Sequence, residues 1–246
     1  MKIITVFKES IAAAKGNPLI FVPMLASIVF SAIISLIFAG SAMPMMSRFS
    51  GEQIAANPEQ ALAGAGAAAG SIMFVSIIGS FVSLLAHGMT VGMADIAFKG
   101  ESVTLKTGWM RLVSRIVPLV IATIVVVIIV TFGMILLVLP GLIAAFLLIF
   151  TLIAVMLDNL SAWKALGRSV KTVKKNFGAV LITFLVIIGL TFLVGILNFV
   201  VVFIPILGAI LSIIIFSIYT AFITILLVRV YQNLDVQTDT SPEVET

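Results

Sequence analysis

Two stretches of more than 40 residues, 116–157 and 176–228, contain no charged side chain. A helix that meets water needs a polar face, and neither stretch can supply one. A bilayer core of about 30 Å asks for about 20 apolar helical residues per crossing, so each stretch can cross twice. Each is also punctuated once, by Pro140-Gly141 in the first and by Pro205 with Gly208 in the second, both turn signals. Two transmembrane hairpins follow. Further apolar runs at 18–40 and 71–97 bring the expected spans to six: 18–40, 71–97, 116–139, 142–158, 177–203 and 206–228. Pro18 opens the first, where its missing N–H costs nothing in the first helical turn.

Composition excludes the soluble alternatives. Of 246 residues, 62% are hydrophobic and 10% charged, whereas soluble domains run at about 45–50% apolar and about 25% charged. A soluble enzyme or binding module with this make-up could not cover its own surface. There is no cysteine, so disulfides, thiolate metal sites and cysteine nucleophiles are excluded.

Cations decide orientation, because Lys and Arg stay on the cytoplasmic side. Lys2, Lys8 and Lys15 precede the first span, and Lys99, Lys106, Arg111 and Arg115 lie between the second and third. Lys164, Arg168, Lys171, Lys174 and Lys175 lie between the fourth and fifth, and Arg229 follows the sixth. The other side holds Arg48 alone of the 14 cations. Both termini are therefore expected in the cytoplasm. The first apolar run is longer than the about 7–15 residues of a secretory signal, so it reads as a span. In the outer 41–70 connection, Asn57-Pro58-Glu59 is a helix-start signature: a capping side chain, a proline, then an acid at the positive end of the dipole. The polar residues 235–246 read as a disordered tail.

Between 160 and 177, Trp163, Leu166, Val170, Val173 and Phe177 recur at helical spacing, with Lys164, Arg168, Lys171 and Lys175 one position later. An interfacial helix with snorkelling cations is expected. Residues 103–116 repeat the pattern with Leu105, Trp109, Leu112 and Ile116 beside Lys106, Arg111 and Arg115. Residues 2–15 do so with Ile3, Phe7 and Ile11 beside Lys8 and Lys15. The fold expected is thus all-α and polytopic, one membrane domain over 1–234. It comprises three parallel repeats (1–98, 99–158 and 159–234), each a basic amphipathic helix followed by a transmembrane hairpin. The cations Lys106, Arg111, Arg115, Lys164, Arg168, Lys171 and Lys175 are expected to meet anionic lipid headgroups rather than nucleic acid, because apolar neighbours flank them.

Few residues could carry chemistry. His87, the only histidine, forms a stripe with Ser76, Ser80, Ser83 and Thr90 in the second span. It reads either as a neutral imidazole bonded to a neighbouring helix, with the hydroxyls as packing glue, or as a polar pathway. A Ser83–His87 dyad lacks an orienting third group, so hydrolysis is not expected. Asp95 and Asp158 stand at the inner ends of spans and should pair with Lys99 or Lys164. The chain has too few ligands for a metal, no HExxH and no GxxxxGK phosphate loop, so no metal or cofactor is expected. Gly88-x3-Gly92 and the Ser27, Ser31, Ser35 stripe are close-packing surfaces, expected to meet within the first hairpin; a homodimer face is the alternative.

Leu139-Pro140-Gly141, the apolar fourth span ending near Asp158-Asn159, and Ala165, Leu166 and Ser169 in an A-L-x-x-S pattern carry a family resemblance. The chain resembles the prokaryotic membrane-protein family related to the membrane domain of glycerophosphoryl diester phosphodiesterases. That family's arginine early in the fourth helix is absent, since Leu142 to Leu157 is uncharged. The resemblance implies six spans in a prokaryotic plasma membrane and no established activity, the phosphodiester chemistry belonging to a separate soluble domain. The function expected is a non-enzymatic membrane protein that organises lipid or partner proteins at the cytoplasmic face; the alternative is a small-solute, ion or lipid transporter.

Overall fold

The computed structural model describes residues 3–46, 57–205 and 207–239. Every regular element among them is helical: α1 (Ile3–Gly16), a 3₁₀ turn (Pro18–Phe21), α2 (Val22–Met46), α3 (Pro58–Phe98), α4 (Leu105–Leu136), α5 (Val138–Leu147), α6 (Thr151–Leu157), α7 (Ala162–Lys175), α8 (Phe177–Val201) and α9 (Leu207–Asp239). Lys2, Arg48, most of the 41–70 connection's middle and residues 240–246 lie outside the described residues. Six segments are long and apolar enough to cross a membrane: Pro18–Phe38, Leu62–Phe98, Leu105–Leu136, Val138–Leu157, Phe177–Val201 and Leu207–Leu234. α3 starts at Pro58 with Glu59 in its first turn, as the Asn57-Pro58-Glu59 signature predicts. α9 continues to Asp239, five residues into the segment expected to be a tail.

The chain forms two compact units, one of Met1–Leu25 with Leu84–Thr246 and one of Ala26–Ser83. Within the smaller unit, a Cβ on Gly79 would lie 3.5 Å from Ser31 Oγ, so the α2 serine stripe meets α3 at that glycine. Within the larger unit, the core gathers Val6, Ile20, Met93, Leu112, Leu119, Phe150, Ile225 and Tyr231, all buried. Elsewhere the helices expose large apolar side chains in long series; Ile135, Leu136, Leu137 and Val138 are all exposed. In water such a surface would drive aggregation, whereas a lipid-facing helix requires it.

Three expectations about elements need correction. The predicted amphipathic helix over 103–116 is not separate from the third span, because α4 runs unbroken through Pro118. Proline removes one backbone hydrogen bond, yet the helix continues, with Leu112, Leu119 and Ala122 on either side fully buried. Its start is a capping box: Thr107 N–H donates to Thr104 Oγ1 at 3.1 Å and Thr104 N–H to Thr107 Oγ1 at 3.3 Å. Next, the α4–α5 turn is made by Leu137, in extended conformation, and Pro140-Gly141 falls inside the first turns of α5. The glycine is needed for close approach rather than for the turn. A Cβ on Gly133 would stand 2.8 Å from Gly141 Cα, so the two helices touch backbone to backbone. Finally, the fourth span is not one helix: α5 and α6 are separated by a turn at Leu148–Phe150.

Gly88 and Gly92 take α4 as their partner rather than the α2 serines. A Cβ on Gly88 would lie 2.7 Å from both Leu112 Cδ1 and Leu119 Cδ2, and one on Gly92 3.4 Å from Arg111 Cβ. Gly108 returns the fit, since a Cβ there would lie 2.6 Å from Met93 Cγ. Because Leu112 and Leu119 are fully buried, they cannot yield. Gly88→Ala is expected to cost about 1–2 kcal/mol through overpacking, read as a lower thermal midpoint of the purified protein in detergent. Gly70→Ala, which meets nothing within 4 Å, should leave the midpoint unchanged or raise it, since alanine is the better helix former.

Candidate functional site

α7 folds back along α6 after a turn in which Asn159 takes a positive φ of 55°. Its packed face is Ala162, Ala165, Leu166, Ser169, Thr172 and Val173. The larger residues of the expected stripe, Trp163 and Phe177, are exposed, and Val170 is half-buried. Small side chains, not the bulkiest apolar ones, are what let this helix approach its neighbours. α1 behaves alike, burying Val6, Ser10 and Ala14 while Ile3, Phe7 and Ile11 sit at the margin. The buried serines Ser10 and Ser169 are 159 positions apart, and so are Asn17 and Asn176. Both asparagines close their helices with a side-chain amide that donates four residues back, to Ala13 O at 3.2 Å and Thr172 O at 3.1 Å.

Ser169 enters the break in the fourth span. Its hydroxyl donates to Leu147 O at 2.8 Å and accepts from Phe150 N–H at 3.2 Å. A break in a buried helix is tolerable only where the freed backbone groups find new partners. Ser169 is that partner, and the A-L-x-x-S pattern is the docking face of α7 as a whole.

The acids at the helix ends form two clusters joined by one turn of α9. Asp95, buried in the last turns of α3, accepts from Lys99 Nζ at 2.8 Å, from Arg111 of α4, and from Gln232 Nε2 of α9 at 2.9 Å. Gln232 Oε1 accepts in turn from Arg229 Nη1 at 3.4 Å, and Arg229 Nε donates to Glu9 Oε2 of α1 at 2.6 Å. The Arg229 guanidinium also lies over the Phe98 ring, 4.9 Å from its centroid. One connected chain of polar contacts therefore ties α1, α3, α4 and α9. A buried carboxylate is costly unless paired and hydrogen-bonded, and this one is both.

Asp158, just past α6, accepts from the Tyr231 hydroxyl and lies 3.6 Å from Arg168 Nε. Tyr231 is fully buried, with its ring 5.5 Å from that of Phe150. Arg115 Nη1 donates to Asn159 O at 3.1 Å. Asp95 thus takes Lys99 as expected, whereas Asp158 takes Arg168 and Tyr231 rather than Lys164. Three of the seven cations expected at headgroups, Arg111, Arg115 and Arg168, are bound within the protein. Lys106, Lys164, Lys171 and Lys175 are exposed and have no acidic partner among the described residues.

The members of the α3 polar stripe differ in their surroundings. Ser76 and Ser80 are exposed, and Ser76 donates to Ile72 O of its own helix. His87 faces α9, its Nδ1 3.3 Å from Thr224 Oγ1. The Thr224 hydroxyl also lies 2.9 Å from Thr220 O, to which it can donate. Thr90, one turn further, is buried with its hydroxyl unpartnered among the described residues. No group of three His, Asp or Glu side chains that could hold a metal occurs among the described residues. Tyr231, Gln232 and Glu9 escaped the sequence reading; the only signal was that α9 ends its uncharged run in the polar cluster Arg229, Tyr231, Gln232, Asn233. The chain matches no family model, no curated protein and no solved structure.

Proposed function

We propose that this chain is a non-enzymatic multi-pass membrane protein that organises lipid, or partner proteins bound there, at the cytoplasmic face. The observation that carries the reading is a division of labour among charges. The acids at the helix ends pair internally, which ties helices together, while the lysines of α4 and α7 stay exposed and have no acidic partner among the described residues. Exposed lysines beside apolar surface attract anionic headgroups at about 1 kcal/mol each. The shared Ser and Asn positions of α1 and α7 support a repeat between the first and third amphipathic helices, each leading into a hairpin. The resemblance to the phosphodiesterase-related membrane family belongs to the same proposal.

Orientation is tested directly, because the chain lacks cysteine and any introduced thiol is unique. Glu59→Cys is expected to react with a membrane-impermeant maleimide in intact cells, and Ser161→Cys only after permeabilisation. Labelling of Ser161→Cys from outside would reverse the topology. For function, purified protein in liposomes should bind phosphatidylglycerol in preference to phosphatidylcholine and carry no flux.

The unpartnered Thr90 hydroxyl one turn from His87 favours a second reading, a transporter with a proton-coupled step. On that reading His87→Gln abolishes pH-dependent flux without lowering stability, because Gln bonds but does not titrate. Flux identical in wild type and His87→Gln would dismiss the histidine as a relay.

A further inference from the structure

An open groove of about 970 Å³ runs between α7 and the α4–α5 hairpin. Ile129, Ala144 and Leu147 form its wall, and its floor on α7 is Leu166, Gly167 and Val170. Its rim is of another kind: Lys171, Lys174 and Lys175 line the same cavity, with Trp163 at the other end of α7. All three lysines are exposed, and none has an acidic partner among the described residues. We propose that this groove holds a single anionic phospholipid, its acyl chain along Ile129, Ala144 and Leu147 and its phosphate on the lysine cluster. The proposal rests on the lipid-organising reading above and names its ligand.

Two features select this occupant. A protein helix laid in the groove would need acidic residues along one edge only, whereas a phospholipid carries one charged end and one apolar end, matching the groove's own division. The three cations stand at positions 171, 174 and 175, on one side of the last turns of α7, so one phosphodiester can meet them together. A zwitterionic headgroup adds a cation to that cluster and gains little. The site therefore discriminates by charge and not merely by hydrophobic contact. Gly167 keeps the floor open, since a Cβ there would meet nothing within 4 Å.

Trp163 lines the groove and reports on it, and the chain's other tryptophan, Trp109, is removed as Trp109→Phe. Full-length protein in detergent is titrated with phosphatidylglycerol or phosphatidylcholine brominated in the acyl chain, and Trp163 quenching is read. Brominated phosphatidylglycerol should quench at a much lower mole fraction than brominated phosphatidylcholine. Replacing Lys171, Lys174 and Lys175 by Gln should weaken phosphatidylglycerol binding about fivefold per lysine, roughly a hundredfold for all three, leaving phosphatidylcholine unaffected. Gly167→Phe, which fills the groove and keeps every charge, should abolish quenching by both lipids. Preference for phosphatidylglycerol that persists in the triple variant would overturn the groove site while leaving the lipid-organising reading standing. Equal quenching by the two lipids in the wild type, together with no preference in whole-protein vesicle binding, would overturn both.

Discussion

Asp95→Ala is expected to be among the most destabilising single substitutions in this chain, at about 2–3 kcal/mol. Removing one member of a buried ion pair typically costs about 3–5 kcal/mol, because the surviving charge is left without a partner. Here the figure is discounted, since the Lys99 side chain is 52% exposed and that of Arg111 36%, so water can solvate both once the carboxylate is gone. The loss does not end at those two cations. Gln232 forfeits the acceptor for its amide, and Gln232 is what joins Asp95 to Arg229 and Glu9. Asp95→Asn should lose less than Asp95→Ala, because the amide oxygen can still accept from Gln232 or Arg111. Arg111→Gln should lose less again, as Asp95 keeps Lys99 and Gln232. Thermal unfolding in detergent gives the order. An Asp95→Ala midpoint equal to wild type would mean that the network carries no stability. A double-mutant cycle of Asp95→Asn with Arg111→Gln isolates the pair from the rest of the network, and a coupling near zero would assign the stability to Lys99 and Gln232 instead.

What was legible in the sequence divides by the range of the forces involved. The six long apolar helices were legible because length and hydrophobicity are properties of each segment alone, and uncharged runs such as 116–157 and 176–228 show them without reference to any partner. The start of α3 was legible for the same reason, since Asn57, Pro58 and Glu59 act on their own helix end. The α4–α5 turn was placed three residues late because Pro140 and Gly141 are turn-prone residues by chemistry, but here they serve a backbone contact with Gly133 that only the folded hairpin creates. The apolar stripes of α1 and α7 were read as faces turned toward lipid, and the faces these helices pack on the protein lie about one position earlier. Hydrophobic periodicity picks out the largest apolar residues, such as Trp163 and Phe177, while close docking selects small ones such as Ala165 and Ser169. The acid clusters were half legible. Asp95 and Lys99 lie one turn apart and could be paired by inspection, but Gln232 and Tyr231 reach Asp95 and Asp158 from 137 and 73 residues away. No local rule reaches that far.

Ser169→Ala is expected to cost about 2–3 kcal/mol, more than the loss of one hydroxyl from an ordinary buried site. The hydroxyl serves two backbone groups at once, Leu147 C=O and Phe150 N–H. Each buried backbone group left unpaired costs about 1–3 kcal/mol, and Ser169 is the side chain that serves both of these. The turn between α5 and α6 already departs from helical pairing, Thr151 N–H donating to Leu148 O at 3.0 Å, so Leu147 O cannot fall back on Thr151. Ser169 is fully buried, which makes Ser169→Thr informative: it keeps the hydroxyl and adds a methyl group. If the hydrogen bonds dominate, the threonine variant should retain more stability than the alanine variant. If close packing of α7 dominates, the order reverses. Hydrogen exchange at the Phe150 amide separates the local effect from global unfolding, since Ser169→Ala should abolish protection there while leaving that of Ile153 to Val155 on α6 intact. Protection at Phe150 unchanged in Ser169→Ala would mean the α5–α6 break closes its own hydrogen bonds, and the serine would then be only a small residue at a tight contact.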